Sequence, residues 1–194
     1  MEKLSRENVV PLEQYAVMRA EFKKEVLAHK KNRRLPLGEH ATLYFEDTLT
    51  MRYQAQEILR IEKVFEPDQI AEELEAYNPL IPDGSNWKAT FMLEYEDIDE
   101  RKAALEKLIG IEDRVWVKVS GFDPVYAIAD EDMDRETEEK TSAVHFLRFE
   151  LDAEMIKAAQ NGAEIGAGID HPEYRQKIDN LPVNIRDSLA QDLS

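Results

Sequence analysis

The chain has 194 residues, a length that fits one domain. It contains no cysteine, which excludes disulfide bonds, thiolate catalysis and cysteine-ligated zinc or iron–sulfur clusters. The formal net charge of −16 argues against general binding to nucleic acids or anionic membranes, because an acidic field repels phosphates. No apolar run reaches the roughly 18 residues of a membrane span, and the N-terminus lacks a signal peptide's apolar core. We therefore expect a cytoplasmic protein.

The charge is unevenly distributed along the chain. Residues 1–36 contain nine Lys or Arg against five Glu, whereas the remainder is strongly acidic. Helical spacing of apolar residues predicts a first helix over 12–29. A basic segment follows it and contains His29, Lys30, Lys31, Arg33 and Arg34. These cations either complement the helix dipole at a C-terminal end or form a site for an anion or an acidic partner.

A short strand is predicted at 42–46, followed by a helix from Asp47 or Thr48 to about Phe65. Met51, Ala55, Ile58 and Phe65 form an apolar stripe on this second helix. Polar side chains adjoin the stripe: Tyr53, Gln56, Glu57 and Arg60. Such a set is typical either of the wall of a polar pocket or of a salt-bridge lattice.

The remaining elements alternate between helices and strands. Helices are predicted at 67–77, from Asp97 or Asp99 to 108, at 152–160 and at 183–193. Strands are predicted at 87–95, 115–119, 125–128, 142–151 and 163–169, with 115–119 and 125–128 forming a hairpin. The highly charged residues 130–140 are interpreted as an exposed connection or a frayed helix. We therefore predict one α+β domain over 1–194, with a mostly antiparallel sheet of about five strands. Residues 1–80 would be mainly helical, 87–170 would form the sheet, and 171–194 would be a C-terminal helical segment.

The strand at 142–151 is the best defined, and both of its faces are largely apolar, as in a covered central strand. Alternation places His145 on one face and Arg148 with Glu150 on the other, so these three residues cannot form one triad. His145 is either a hydrogen-bonded core residue or a ligand-binding group. Arg148 and Glu150 are expected to pair with neighbours across the sheet.

Asp170 and His171, which end a glycine-rich strand, are candidate metal ligands. A third ligand is not apparent, since no second histidine lies at the spacing that metal sites use. Motifs for nucleophilic catalysis and for phosphate binding are absent, including the GxSxG elbow, the GxGxxG loop and the Walker loop. The sequence therefore leaves any cofactor, the ligand and the oligomeric state undetermined.

Several stretches together resemble a bacterial family of uncharacterised proteins. They are Tyr77–Asn86 (YNPLIPDGSN), Lys88–Tyr95 (KATFMLEY), Gly110–Val117 (GIEDRVWV), Tyr126–Asp132 (YAIADED) and Lys140–Leu151 (KTSAVHFLRFEL), with Asp170-His171-Pro172. The family is known as domain of unknown function number three thousand five hundred and one. Its genes are often neighbours of rubrerythrin-like and iron–sulfur oxidoreductase genes, which implies a role near peroxide defence or electron transfer. The resemblance supplies no catalytic residues, and this chain lacks the paired Glu-x-x-His ligands of rubrerythrins.

Two functional hypotheses follow. In the first, the protein is a non-catalytic accessory or ligand-binding component of a redox system, and its acidic body and basic N-terminal region engage a protein partner. In the second, it is an enzyme with a pocket between the 47–65 helix and the sheet. The working groups of that pocket would be Tyr53, Glu57, Arg60 and His145, and Asp170 and His171 would hold a metal. A phosphate-dependent or nucleic-acid role is disfavoured by the acidic composition.

Overall fold

The computed structural model describes residues 1–129 and 140–194 and has an α+β fold, which confirms the predicted class. The described helices are α1 (Leu12–Lys30), α2 (Thr48–Glu62), α3 (Pro67–Tyr77), α4 (Ile98–Lys107), α5 (Ala153–Gln160) and α6 (Val183–Ala190). The described strands are β1 (Arg34–Pro36), β2 (Ala41–Phe45), β3 (Asn86–Leu93), β4 (Val115–Val119), β5 (Val125–Tyr126), β6 (Ile128–Ala129), β7 (Val144–Glu150), β8 (Ile165–His171) and β9 (Tyr174–Ile178).

The strands form two antiparallel sheets rather than the single sheet expected. The first has the order β1-β2-β3-β7-β6, and the second has the order β5-β4-β8-β9. The central strand of the first sheet is β3, which pairs with β2 on one side and with β7 on the other. The predicted strand at 142–151 is therefore an internal strand, since β7 also pairs with β6.

The main core lies between the two sheets. Alternate residues of each strand point into it, as the period of two requires. In β3 these are Trp87, Ala89, Phe91 and Leu93, and in β4 they are Val115, Val117 and Val119. Burial of these apolar side chains is the main favourable term for folding, at roughly 1.5–3 kcal/mol for each large one. Ile185 and Leu189 of α6 extend the core toward the end of the chain.

Helices α1 and α2 pack against each other on the outer side of the first sheet. Tyr15, Phe22 and Val26 lie on one face of α1 and form a small buried cluster with Leu49 and Tyr53. A second small cluster joins α2 to α3 and to the N-terminal segment, and consists of Leu4, Met51, Ala55, Leu74 and Ile81. These contacts join α1, α2 and α3 to one another and to the N-terminal segment.

Three details of the predicted elements are corrected. The segment 171–194 is predicted to be helical, but it contains β9. The residues of β9 are mainly polar and exposed, so no apolar alternation marks the strand. The strand predicted at 125–128 divides at Ala127, so that β5 pairs with β4 while β6 joins β7 in the other sheet. Helix α2 ends at Glu62, because Lys63 adopts a left-handed conformation, and Phe65 is exposed. Residues 130–139 of the charged segment lie outside the described residues.

Within the described parts of the chain, no helix has the length and the apolar character that crossing a bilayer requires.

Candidate functional site

The outer face of the first sheet carries side chains in rows that cross the strands. One row contains Thr42, Met92 and Val144, which are directly paired on β2, β3 and β7. The adjacent row contains Tyr44, Thr90 and Phe146. Because residues two apart share a face, Glu46, which follows β2, continues the line of Thr42 and Tyr44. These two rows thus combine apolar side chains on β3 and β7 with threonine hydroxyls on β2 and β3, and a carboxyl group lies at the end of β2.

Helix α2 turns back over this surface because a capping box fixes its start. The Asp47 side chain accepts a hydrogen bond from the Thr50 backbone N–H at 2.8 Å, and Thr50 Oγ1 accepts one from the Asp47 N–H at 3.0 Å. Thr50 and Gln54 lie one turn apart on α2 and face the sheet, and Lys30 approaches from the end of α1.

A cleft of about 360 Å³ lies between these helices and the sheet. Its size is in the lower range of small-molecule sites. The cleft combines an apolar floor with polar groups at one end, and its lining residues are Lys30, Arg33, Tyr44, Phe45, Glu46, Thr50, Gln54, Thr90, Met92, Val144 and Phe146.

Glu46 is the charged group of the cleft that is held most tightly. Its side chain is 4% exposed, and its two oxygens accept hydrogen bonds from Thr50 Oγ1 at 2.6 Å and from Thr90 Oγ1 at 2.7 Å. Burial raises the pKa of Glu46, and the nearby negative charge of Asp47 adds to the rise. The hydrogen bonds from the two threonine hydroxyls and the positive charge of Lys30 lower the pKa of Glu46. A carboxyl with a raised pKa in a cleft is a candidate for binding or proton transfer.

A buried ionic network lies behind the polar end of the cleft. Arg33 donates to both carboxylate oxygens of Asp192, at 2.6 and 2.9 Å, and to the backbone carbonyls of Phe45 and Glu46. His29 Nε2 lies 2.5 Å from Asp47 Oδ2. Burial raises the pKa of Asp192 to about 6, and the guanidinium of Arg33 opposes that rise. The network links the end of α1 to β2 and to the residues after α6.

The residues predicted to form one pocket are separated in the structure. Glu57 accepts hydrogen bonds from Tyr15 OH at 2.6 Å and from Arg19 Nε and Nη2 at 2.7 and 2.8 Å, both residues of α1. Arg60 contributes a further contact at 3.3 Å. Tyr53 belongs to the apolar cluster between α1 and α2. The salt-bridge lattice is thus present, although it mainly joins two helices, and none of these residues lines the cleft.

Glu57→Gln is expected to lower the free energy of unfolding at pH 7 by about 2 kcal/mol, because a charged acceptor of several hydrogen bonds is lost. The hydrogen bonds from Arg19 lower the pKa of Glu57 from 4.5 to about 2 against the opposing effect of burial. The stabilisation is therefore present above pH 4.5 and is lost as the pH falls from 4.5 toward 2.

Urea unfolding of the parent and of Glu57→Gln at pH 7, 4.5 and 3 measures this effect. The difference between the two proteins should shrink as the pH falls. The matched control is Glu21→Gln on the exposed surface of α1, which should change stability little at any pH. A constant difference across the three pH values would contradict the assignment.

His145 lies on the inner face of β7, whereas Phe146 faces the cleft. The His145 side chain is fully buried, and His145 Nε2 lies 2.9 Å from Thr141 Oγ1 and 3.0 Å from the Ser142 carbonyl oxygen. Glu112 Oε2 lies 3.7 Å from the same nitrogen. His145 is therefore a hydrogen-bonded core residue and is not part of the cleft. On the other face, Arg148 forms an ion pair with Glu150 of its own strand.

Asp170 and His171 point to opposite faces of β8, as adjacent strand residues must. The Asp170 carboxylate accepts a hydrogen bond from Tyr126 OH at 2.7 Å. His171 Nε2 lies 3.1 Å from the Ile109 carbonyl oxygen, and His171 Nδ1 accepts from the Glu173 N–H at 3.2 Å. Both ring nitrogens thus have protein partners. The described residues contain no cluster of three or more His, Cys, Asp or Glu that could hold a metal.

The basic segment is divided among several environments. His29 and Arg33 belong to the buried network, and Lys30 lines the cleft. Lys31 and Arg34 line a more open groove of about 620 Å³ beside the start of α6. Arg34 also donates to Tyr44 OH at 3.3 Å. The five residues therefore do not form one continuous surface.

Comparison with known proteins places this fold in a family. The chain matches the family described as "Protein of unknown function (DUF3501)" over residues 3–193. The chain belongs to this family. A crystal structure of a novel protein of unknown function from Burkholderia pseudomallei K96243, at 1.90 Å resolution, is 50% identical and covers 100% of both chains with a TM-score of 0.94. No protein among the curated sequences matches the chain.

Sequence reasoning missed most of the residues that line the cleft. The period of two places Thr90 and Met92 on the same face of one strand, and Val144 and Phe146 on the same face of another. Which strands are neighbours is not visible in that pattern, so the residues could not be brought together. Glu46 was included only as the end of a predicted strand. The available signal was that Glu46 immediately precedes the N-cap residue Asp47 and shares a strand face with Thr42 and Tyr44.

Proposed function

We propose that this protein binds a small amphipathic molecule in the cleft between α2 and the first sheet. The observation that carries the proposal is the combination of a buried carboxyl, Glu46, with an apolar floor in one cleft of about 360 Å³. Small-molecule sites commonly have this composition, in which apolar side chains supply contact area and a few polar groups fix orientation. Binding without catalysis is sufficient to account for these features.

A neutral fluorescent probe, N-phenyl-1-naphthylamine, tests this proposal. We expect saturable binding with an increase in fluorescence, because the probe is apolar and carries no charge. Met92→Lys should weaken binding by about tenfold or more, because a cation in the floor opposes burial of an apolar ring. The matched control is Val17→Lys on the exposed face of α1, where the parent side chain is 87% exposed.

Equal binding to the parent and to Met92→Lys, with both proteins folded by circular dichroism, would contradict the location. Absence of saturable binding to the parent would contradict the proposed function itself. The Val17→Lys control guards against a general effect of adding one positive charge to an acidic protein.

The wider role is a proposal that rests on the family resemblance. In it, the bound molecule or a protein partner would connect this chain to a redox or peroxide-defence system. The acidic surface supports electrostatic recognition of a basic partner, since the net charge is −16. Co-purification with and without added salt tests this role, and recovery of no redox protein under either condition would count against it.

A further inference from the structure

The Glu46 carboxylate accepts hydrogen bonds, but it forms no ion pair with any residue in the described ranges 1–129 and 140–194. Each of its oxygens accepts one threonine hydroxyl. An ionised carboxylate can accept about four hydrogen bonds, so acceptor positions remain on both oxygens. Because a buried charge is costly unless it is paired, a cationic group bound in the cleft would supply the missing interaction.

The charges around Glu46 favour a cation over an anion. Asp47 adds a second negative charge beside it, and Lys30 of α1 is the cation that lowers its pKa. Arg33 donates to the backbone carbonyl of Glu46, but its guanidinium is neutralised by Asp192. Thr50 and Gln54 of α2 and Thr90 of β3 carry no charge. Asp47 is itself engaged by His29 at 2.5 Å and by Arg33 at 3.7 Å, so an anionic ligand would mainly meet the Glu46 carboxylate with Lys30 to offset it, in a protein of strongly negative net charge.

The apolar floor defines the rest of the ligand. Met92, Val144 and Phe146 lie on two paired strands and give a continuous surface next to the polar end. A ligand with one charged end and an apolar body would cover that surface while its head group reaches Glu46.

We infer that the cleft binds an organic cation, whose primary ammonium group donates hydrogen bonds to Glu46 and whose apolar body lies on Met92, Val144 and Phe146. This inference rests on the proposed function, because it names the ligand class of the same cleft. Binding of a cation favours the ionised carboxylate, so affinity should rise with pH through the pKa of Glu46 and a proton should be released on binding. Lys30, Arg33 and Asp47 are charged groups near this position, and the titratable ring of His29 contacts Asp47. Lys88 lies opposite Glu46 on β3, and its ammonium group donates to the Pro79 carbonyl.

Calorimetry with three probes that share one apolar body tests the inference. The probes are 3-phenylpropylammonium, 3-phenylpropan-1-ol and 3-phenylpropanoate, measured at pH 8. We expect the ammonium to bind about tenfold or more tightly than the alcohol, since it forms charge-assisted hydrogen bonds. The carboxylate should bind most weakly. Repeating the ammonium titration in buffers of different ionisation enthalpy measures proton release.

Two variants separate the role of Glu46 from its effect on folding. Glu46→Gln should remove the preference for the ammonium while keeping the affinity for the alcohol. Its matched control is Glu94→Gln, a glutamate of the same sheet face that accepts from Thr42 and Tyr44 and does not line the cleft. Lys30→Met, at the end of α1, should strengthen ammonium binding severalfold, because it removes the opposing cation, and it is not expected to disturb the core.

The outcomes distinguish this inference from the proposed function. If N-phenyl-1-naphthylamine binds in the cleft but the carboxylate binds as tightly as the ammonium, the inference fails and the proposed function stands. If the neutral probe binds and none of the three phenylpropyl compounds does, the inference likewise fails. If the neutral probe does not bind to the parent protein, both fail.

Discussion

Arg33→Met is expected to lower the free energy of unfolding by about 3–5 kcal/mol, because it leaves the buried carboxylate of Asp192 without its charge partner. Both side chains are almost completely buried, at 2% and 1% exposure, and two hydrogen bonds join them. Arg33 also donates to the carbonyls of Phe45 and Glu46, which would lose a donor. Urea unfolding at pH 7, followed by tryptophan fluorescence, measures the loss.

A double variant tests the physical reason for this loss. Arg33→Met combined with Asp192→Leu removes both charges, so part of the lost stability should return, since replacing a buried ion pair with apolar groups is often close to neutral. The part that does not return reflects the Phe45 and Glu46 carbonyls and the Asp47 carboxylate, which still lack Arg33. Arg34→Met is the matched control one position along the chain, and because Arg34 is exposed its effect should stay within about 0.5 kcal/mol. A double variant less stable than Arg33→Met would show that the cost does not come from the unpaired carboxylate.

Trp87→Ala is expected to lower the free energy of unfolding by about 3–5 kcal/mol, because it leaves a large cavity in the main core. Trp87 begins the inward-facing row of β3 and is fully buried. Its indole N–H donates to the Leu189 carbonyl oxygen at 2.9 Å and thereby connects the sheet to α6. Unfolding by urea, followed by circular dichroism, measures the effect without relying on the altered fluorescence.

Trp116 provides a matched control for the hydrogen bond. It is also buried, but its indole N–H has no hydrogen-bond partner among the described residues. Trp87→Phe should therefore cost about 0.5–1.5 kcal/mol more than Trp116→Phe, since it removes a buried hydrogen bond to the Leu189 carbonyl, which keeps its bond from the Asp192 N–H. Equal costs at the two positions would contradict a stabilising role for the Trp87 hydrogen bond.

Local sequence signals predicted most elements well where a period and a cap agreed. Helix α3 has the predicted bounds, Pro67–Tyr77, because a proline begins it and Asn78-Pro79 follows it. Helices α4 and α5 begin after Asp97 and Asp152, whose side chains accept backbone hydrogen bonds as N-caps do. Strand β9 was missed because its residues are mainly polar and exposed, so no apolar alternation marked it.

The site shows a clearer limit of sequence reasoning. Residues of the second helix and of the sheet line a cleft, but the polar residues predicted to line a pocket there lie on the face of the helix that packs against α1. The polar set at Tyr53, Glu57 and Arg60 drew attention because its residues are charged or aromatic. Glu57 finds its partners on α1 instead. The local spacing of residues in α2 does not indicate which neighbouring element each face of the helix contacts.

The sequence by itself determined the α+β class, the helix ends that carry caps and the inward-facing residues of the strands, since these depend on neighbours along the chain. It also determined the absence of cysteine chemistry. Only the tertiary structure decided that the strands form two sheets, that Arg33 lies buried beside Asp192, and that Glu46 meets an apolar floor from β3 and β7. Arg33 and Asp192 are 159 residues apart. Such contacts depend on strand order and on packing between distant segments, which local periodicity does not encode.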